Sequence, residues 1–263
     1  MTTTFPVTPA AEGGLPDGEP TATTLHTAGN RAPHDTDALR RATAWMHTAR
    51  FLTTASRLSE LPVPGLPEIA FVGRSNAGKS TAINTLAQQR RLAFASRTPG
   101  RTQHINLFEV GPKLAPDARL ADLPGYGYAA VDRTAKLRWQ AVMADYLRQR
   151  EALTGVVLMI DSRHGFTELD RRLLAWIEPR VASGETRLLA LLTKADKLNR
   201  RDADRALAEA GAVLGDIATE ASDIGLTLFS ALSRRGVEDA AQALQAWIAA
   251  ERPAEATNPD TPE

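Results

Sequence analysis

The sequence predicts an α/β fold: a mostly parallel six-stranded sheet with one antiparallel edge strand and helices on both faces. Three observations predict it. Short apolar runs of strand length alternate with longer stretches that are apolar at helical spacing. One of those runs passes through a glycine-rich turn directly into a helical stretch. With 43% hydrophobic and 24% charged residues in a chain of 263, there is enough apolar material for a core of domain size.

The strand-like runs are Glu68–Gly73, Ile105–Val110, Ala118–Asp122, Gly155–Asp161, Arg187–Thr193 and Leu226–Ser230. The second and third are separated only by a turn-rich stretch with Gly111, Pro112 and Pro116, which predicts an antiparallel hairpin. The others are separated by helical segments, which predicts parallel pairing. Trp139, Val142, Met143, Tyr146 and Leu147 recur at the spacing of one helix face. Leu169, Leu173, Trp176 and Ile177 do the same, as do Val237, Ala240, Ala241, Leu244, Trp247 and Ile248. Their aromatics read as core rather than as ligand contacts. A further helix begins near Lys79.

Residues 1–35 are rich in Thr, Pro, Gly and Ala without apolar periodicity, and the tail past Arg252 has Pro253, Pro259 and Pro262. Such composition cannot bury enough apolar surface to order itself. The expected division is a largely disordered extension over 1–45, one folded domain over 46–251 and a disordered tail over 252–263. Glu12, Asp17, Glu19 and Asp35 face only Arg31 in residues 1–35, a net charge of −3, and the C-terminal tail carries −2. The chain is neutral overall, so the body carries +5. That balance permits contact with nucleic acid without requiring it.

The absence of cysteine excludes disulfides, thiolate metal sites and cysteine nucleophiles. No apolar run approaches membrane-spanning length, and the first thirty residues lack a secretory or transit pattern, so a cytoplasmic protein without membrane contact is expected.

Chemistry concentrates at strand ends. Gly73-Arg74-Ser75-Asn76-Ala77-Gly78-Lys79-Ser80 follows a strand and opens a helix, the setting of a phosphate-binding loop. Its glycines let successive backbone N–H groups point at phosphates, Lys79 supplies positive charge, and the Ser80 hydroxyl suits Mg²⁺. Asp122-Leu123-Pro124-Gly125 ends another strand, placing a carboxylate for water-mediated Mg²⁺ contact and a glycine N–H for a γ-phosphate. Thr193-Lys194-Ala195-Asp196 ends a third. A carboxylate there can accept from guanine's N1–H and 2-amino group, a donor pair that adenine lacks. The backbone of Phe229-Ser230-Ala231, at a fourth strand end, can approach the purine O6. Four such ends on one side of an open α/β sheet converge on one ligand.

Together with Arg97-Thr98-Pro99-Gly100-Arg101-Thr102-Gln103, these segments resemble the EngB (YihA/YsxC) family within the TrmE-Era-EngA-EngB-septin-like GTPases. The resemblance covers roughly residues 45–250. It implies a P-loop, Ras-like GTPase domain that binds GTP, GDP and Mg²⁺, acts as a monomer in assembly of the large ribosomal subunit through its rRNA, and is needed for normal septation and cell division. Residues 97–103 would form the first switch, with Gly100, Arg101, Thr102, Gln103 and the adjoining His104 beside the nucleotide and Thr102 as a Mg²⁺ ligand. Asp122–Gly125 with Tyr126-Gly127-Tyr128 would form the second switch. Lys79 and Thr102 would stabilise charge during hydrolysis. Related GTPases with an asparagine at the position of Asn76 use it to hold K⁺, whereas an asparagine in a loop can also simply bond its own backbone.

Two departures stand out. Thr193 occupies a position where many GTPases have asparagine. Tyr126 stands where Ras-like enzymes carry the glutamine that orients water, so intrinsic hydrolysis is expected to be slow, and neither His104 nor His164 is assigned as a base. Basic groups at Arg90–Arg91, Arg97/Arg101, Arg148/Arg150, Arg200–Arg201 and Arg234–Arg235 could contact RNA phosphates or be plain solvated charge. Rival readings are a metabolic P-loop phosphotransferase and a septum-associated module that uses GTP to gate a protein partner.

Overall fold

A computed structural model describes residues 25–27, 36–93, 104–127 and 133–251. Its elements are β1 (Leu25–Thr27), α1 (Thr36–His47), β2 (Arg50–Ala55), β3 (Glu68–Gly73), α2 (Lys79–Leu86), β4 (Ile105–Val110), β5 (Ala118–Asp122), α3 (Arg133–Gln149), β6 (Leu153–Asp161), α4 (Glu168–Ala182), β7 (Arg187–Thr193), α5 (Arg200–Gly215), β8 (Ile224–Leu228) and α6 (Val237–Glu251).

The strands form one sheet in the order β1-β8-β7-β6-β3-β5-β4-β2. All six expected strands are present within a few residues of their expected bounds. β4 is the antiparallel strand, paired with β5 as a hairpin and with β2 on its other side. The remaining pairings are parallel.

Alternation along the strands builds two cores. In β3, Ala70 and Val72 point to one face and Ile69 and Phe71 to the other, and all are fully buried. In β6, Val156, Leu158 and Ile160 join the first face and Val157 and Met159 the second. The first face is covered by Met143, Tyr146 and Leu147 of α3, Leu173 and Ile177 of α4, and Leu214 of α5. The second is covered by Ala42, Trp45 and Met46 of α1, Ile83 and Leu86 of α2, and Leu244, Trp247 and Ile248 of α6. A sheet buried on both sides explains why its strands read as continuous apolar runs.

The N-terminal boundary differs from expectation. β1 and most of α1 fall within the stretch 1–45. Ala42, Trp45 and Met46 stand at helical spacing and are buried. Trp45 Nε1 donates to Asp117 Oδ2 at 3.1 Å, fixing the end of α1 against the β4–β5 hairpin. β1 adds to the sheet through backbone pairing with β8, which needs no apolar signature. β2 is also additional: half-exposed and threonine-rich, it extends the sheet outside β4.

Candidate nucleotide site

The carboxyl ends of β3, β5, β6, β7 and β8 lie side by side, and each delivers a loop to the same rim. Gly73–Ser80 leaves β3 and enters α2 at Lys79. Asn76 holds a left-handed φ of 66°, a conformation asparagine tolerates better than most side chains. Beside the loop lies a cavity of about 200 Å³, with Ser75, Asn76, Asp161, Arg163, His164 and Lys194 among its lining.

Five hydrogen bonds tie the loops together. Ser75 N donates to Tyr126 O at 2.8 Å and Tyr126 N to Gly73 O at 3.3 Å, so the segment after Asp122 is bridged to the phosphate loop. The Thr193 hydroxyl donates to Ala77 O at 2.6 Å. Lys194 Nζ donates to Asn76 O at 2.8 Å. Ala195 N donates to Phe229 O at 3.1 Å, joining the loops after β7 and β8. The bond that asparagine would supply at position 193 is replaced here by a hydroxyl that holds the phosphate loop from below.

The Asp196 carboxylate is pre-set. Ser230 Oγ donates to Asp196 Oδ1 at 2.7 Å, and Lys197 lies 3.2 Å from Oδ2. The serine bond first, then the lysine, holds the Asp196 carboxyl below its ordinary range, so it stays an acceptor.

Asp161, unassigned from sequence, is a hub. It accepts from Lys194 Nζ at 2.8 Å and from Arg163 Nε and an Arg163 terminal nitrogen at 2.9 and 2.7 Å. Burial opposes its charge, but these bonds outweigh burial and hold its carboxyl far below the usual range. Lys194 is therefore clamped between Asp161 and the phosphate loop. The available signal was positional: Asp161 ends a central strand on the same rim as Asp122.

Lys79 and Asp122 are both buried, 7% and 1% exposed, and form an ion pair through Oδ1. Asp122 Oδ2 is buried without a hydrogen-bond partner among the described residues. A buried carboxylate oxygen with spare capacity, on the group paired with Lys79, suits a hard cation that keeps its waters. Among the described residues no cluster of three or more His, Asp or Glu could hold a metal.

The other expected site residues divide clearly. Leu123, Pro124 and Gly125 sit beside the phosphate loop, and Phe229, Ser230 and Ala231 beside Asp196. His104, at the start of β4, shares a 2.8 Å hydrogen bond with Ser56 Oγ at the end of β2. Gly100, Arg101, Thr102 and Gln103, with the rest of the first switch and Tyr128, lie outside the described residues.

A phosphate loop and strand-end aspartates on one rim of an open α/β sheet define a P-loop nucleotide-binding protein. A family model described as a 50S ribosome-binding GTPase matches residues 68–194. The "Probable GTP-binding protein EngB" of Acidovorax ebreus is 59% identical over 203 residues, covering 77% of this chain and 89% of the relative. That of Albidiferax ferrireducens is 55% identical over 206 residues, covering 78% and 96%. The chain belongs to the EngB family of GTP-binding proteins and carries its GTPase domain. Its fold is similar to a crystal structure of a probable GTP-binding protein engB, with a TM-score of 0.51, 19% identity and coverage of 70% and 99%. It is likewise similar to Aquifex aeolicus Era bound to GDP and AlF₄⁻, with a TM-score of 0.54, 18% identity and coverage of 69% and 56%. Among the described residues no helix is long and apolar enough to cross a membrane.

Proposed function

We propose that this GTPase is a GTP/GDP switch that docks on the large ribosomal subunit during its assembly, and that normal septation and cell division depend on that step. The observation that carries the switch reading is the coupling of its two recognition elements. Lys194 and Thr193 from the guanine motif grip the carbonyls of Asn76 and Ala77 in the phosphate loop, so base and phosphates are read by one connected body. The ribosomal assignment is supported by the matching family description.

Guanine would be read by Asp196 and by the backbone of Phe229–Ala231, and phosphates by Gly73–Ser80. Mg²⁺ would be held by Ser80 and Thr102, with Asp122 acting through water. When bound, the ion supplies charge neutralisation across the β and γ phosphates. Lys79 would leave Asp122 for those phosphates.

Turnover of the free protein is expected to be slow, on the order of unassisted Ras at about 10⁻⁴ s⁻¹. The residue after Gly125 offers no water-orienting group, because the Tyr126 phenol is buried against Asp170. The Asn76 carboxamide is exposed and has no hydrogen-bond partner among the described residues, which favours a K⁺ ligand over a self-bonded loop. Arg234 and Arg235 are exposed beside Ser230, next to the guanine loop, and suit contact with rRNA phosphates.

The test is co-sedimentation with large subunits in GTP analogue, GDP and no nucleotide, over a range of salt. Association should depend on nucleotide and fall steeply with salt, and charge reversal at Arg234 and Arg235 should weaken it. Binding indifferent to salt and nucleotide would contradict the proposal.

A further inference from the structure

Tyr126 sits between two glycines with opposite duties. Gly125 passes against the phosphate loop, where a Cβ would stand 3.3 Å from the backbone N and Cα of Ser75. Gly127 turns the chain away with φ 81°, where a Cβ would stand 3.0 Å from Leu169. Between them, Tyr126 is held at three points. Its N–H and carbonyl are bonded to Gly73 and Ser75. Its phenol, on a side chain 8% exposed, donates to Asp170 Oδ1 at 2.6 Å.

Asp170 is itself held in place by burial and hydrogen bonds. It is 1% exposed, and its Oδ2 accepts from the Thr167 N–H at 2.7 Å and the Thr167 hydroxyl at 2.6 Å. That reciprocal cap opens α4, a helix of 15 residues packed on the sheet. Burial, and then the Asp170 charge, push the phenol pKa upward, so the tyrosine remains a donor at any working pH. The start of the second switch is thus tethered to α4.

We infer that Tyr126 and Asp170 form a positioning pair for γ-phosphate recognition: their bond fixes the Gly125 N–H over the phosphate loop. The phenol–carboxylate bond itself involves no atom of the phosphate loop or of the Asp196 loop, and the Ser75 N–H is taken by the Tyr126 main-chain carbonyl, which a side-chain substitution leaves in place, so loss of the side-chain bond falls on GTP and not on GDP. The inference rests on the reading of Gly125 as a γ-phosphate contact.

The test is the affinity of a non-hydrolysable GTP analogue relative to GDP, with melting temperature measured alongside. Tyr126→Phe should lower that ratio about tenfold, a change of about 1.4 kcal/mol, and leave GDP affinity within twofold. Asp170→Ala should lower it equally, and the double variant should be no worse than either single one. Thr167→Ala, which weakens the α4 cap and leaves the phenol bond in place, should lower the melting temperature without moving the ratio. Gly125→Ala, which crowds the backbone itself, should lower the ratio. If Gly125→Ala lowers the ratio and Tyr126→Phe does not, the positioning role is overturned while the γ-phosphate reading stands. If neither does, that reading fails and the inference with it. A parallel fall in both affinities with the melting temperature would overturn the inference in favour of a purely structural bond.

Discussion

Thr193→Val changes one hydroxyl at the point where the proposed guanine loop is joined to the phosphate loop. Thr193 is 3% exposed, and its hydroxyl carries a single proton. Of its two nearby acceptors, Ala77 O at 2.6 Å is favoured over Ile160 O at 3.1 Å. Valine has nearly the same shape, but its methyl would stand where the hydroxyl lies 2.6 Å from Ala77 O, so the loop must draw back. The substitution therefore removes a donor from a buried carbonyl and crowds it, a loss of about 1–3 kcal/mol or more. For a domain of this size that corresponds to roughly 2–12 °C in melting temperature. If the loop loosens, the GDP dissociation constant should rise about tenfold, equivalent to about 1.4 kcal/mol. Thr193→Ser keeps the hydroxyl and should stay near the parent in both measurements. The assay is thermal unfolding without nucleotide, paired with fluorescent-GDP titration. A valine variant within 1 °C and twofold of the parent, or a serine variant as damaged as the valine one, would refute the brace.

The network under the sheet should matter for stability and not for nucleotide. Glu68 is fully buried and accepts from Arg150 at 2.6 and 2.9 Å and from the Tyr146 phenol at 2.8 Å, so Glu68→Gln leaves Arg150 without its counter-charge. A loss of about 3–5 kcal/mol is expected, roughly 6–20 °C, with GDP affinity of the folded protein unchanged; a shift under 2 °C would contradict this. Asp161 titrates below its unfolded value because of Arg163 and Lys194, so its contribution is full above the ordinary carboxylate range and is lost as pH falls through its depressed pKa. The melting difference between the parent and Asp161→Asn should be constant from about pH 7 to 5 and shrink below about pH 4; a difference that grows on acidification would reverse the sign argued here. Hydrolysis should be faster in K⁺ than in Na⁺ at equal ionic strength, and Asn76→Ala should abolish the preference while sparing GDP binding; equal rates in both salts would remove K⁺ from the site.

What was legible in the sequence follows from how each feature is encoded. The six central strands and the nucleotide motifs are local: an apolar run and a strand-end loop carry their own signature. β2 escaped notice because its residues face solvent in part, so Arg50-Phe-Leu-Thr-Thr-Ala55 lacks a buried strand's pattern. α5 buries chiefly small residues, Ala203 and Ala210 with Leu214, which leave a weak periodic trace. α1 needed α6 to give meaning to Ala42, Trp45 and Met46. The tethers were out of reach for a different reason: Tyr126 meets Asp170 across 44 positions and Lys194 meets Asp161 across 33, and only the sheet order brings those pairs together. The sequence places Tyr126 where Ras-like enzymes carry glutamine, but where its phenol goes depends on the start of α4.

The guanine assignment tests the account most directly. Asp196 is held ionised and oriented by Ser230, and Asp196→Asn can keep that serine bond while turning an acceptor for guanine into a donor. Titration with GTP and XTP should show GTP affinity falling by about 5- to 150-fold, the equivalent of 1–3 kcal/mol, with XTP affinity rising. A variant that binds GTP as tightly as the parent and gains nothing for XTP would contradict the assignment of this rim as a guanine nucleotide site.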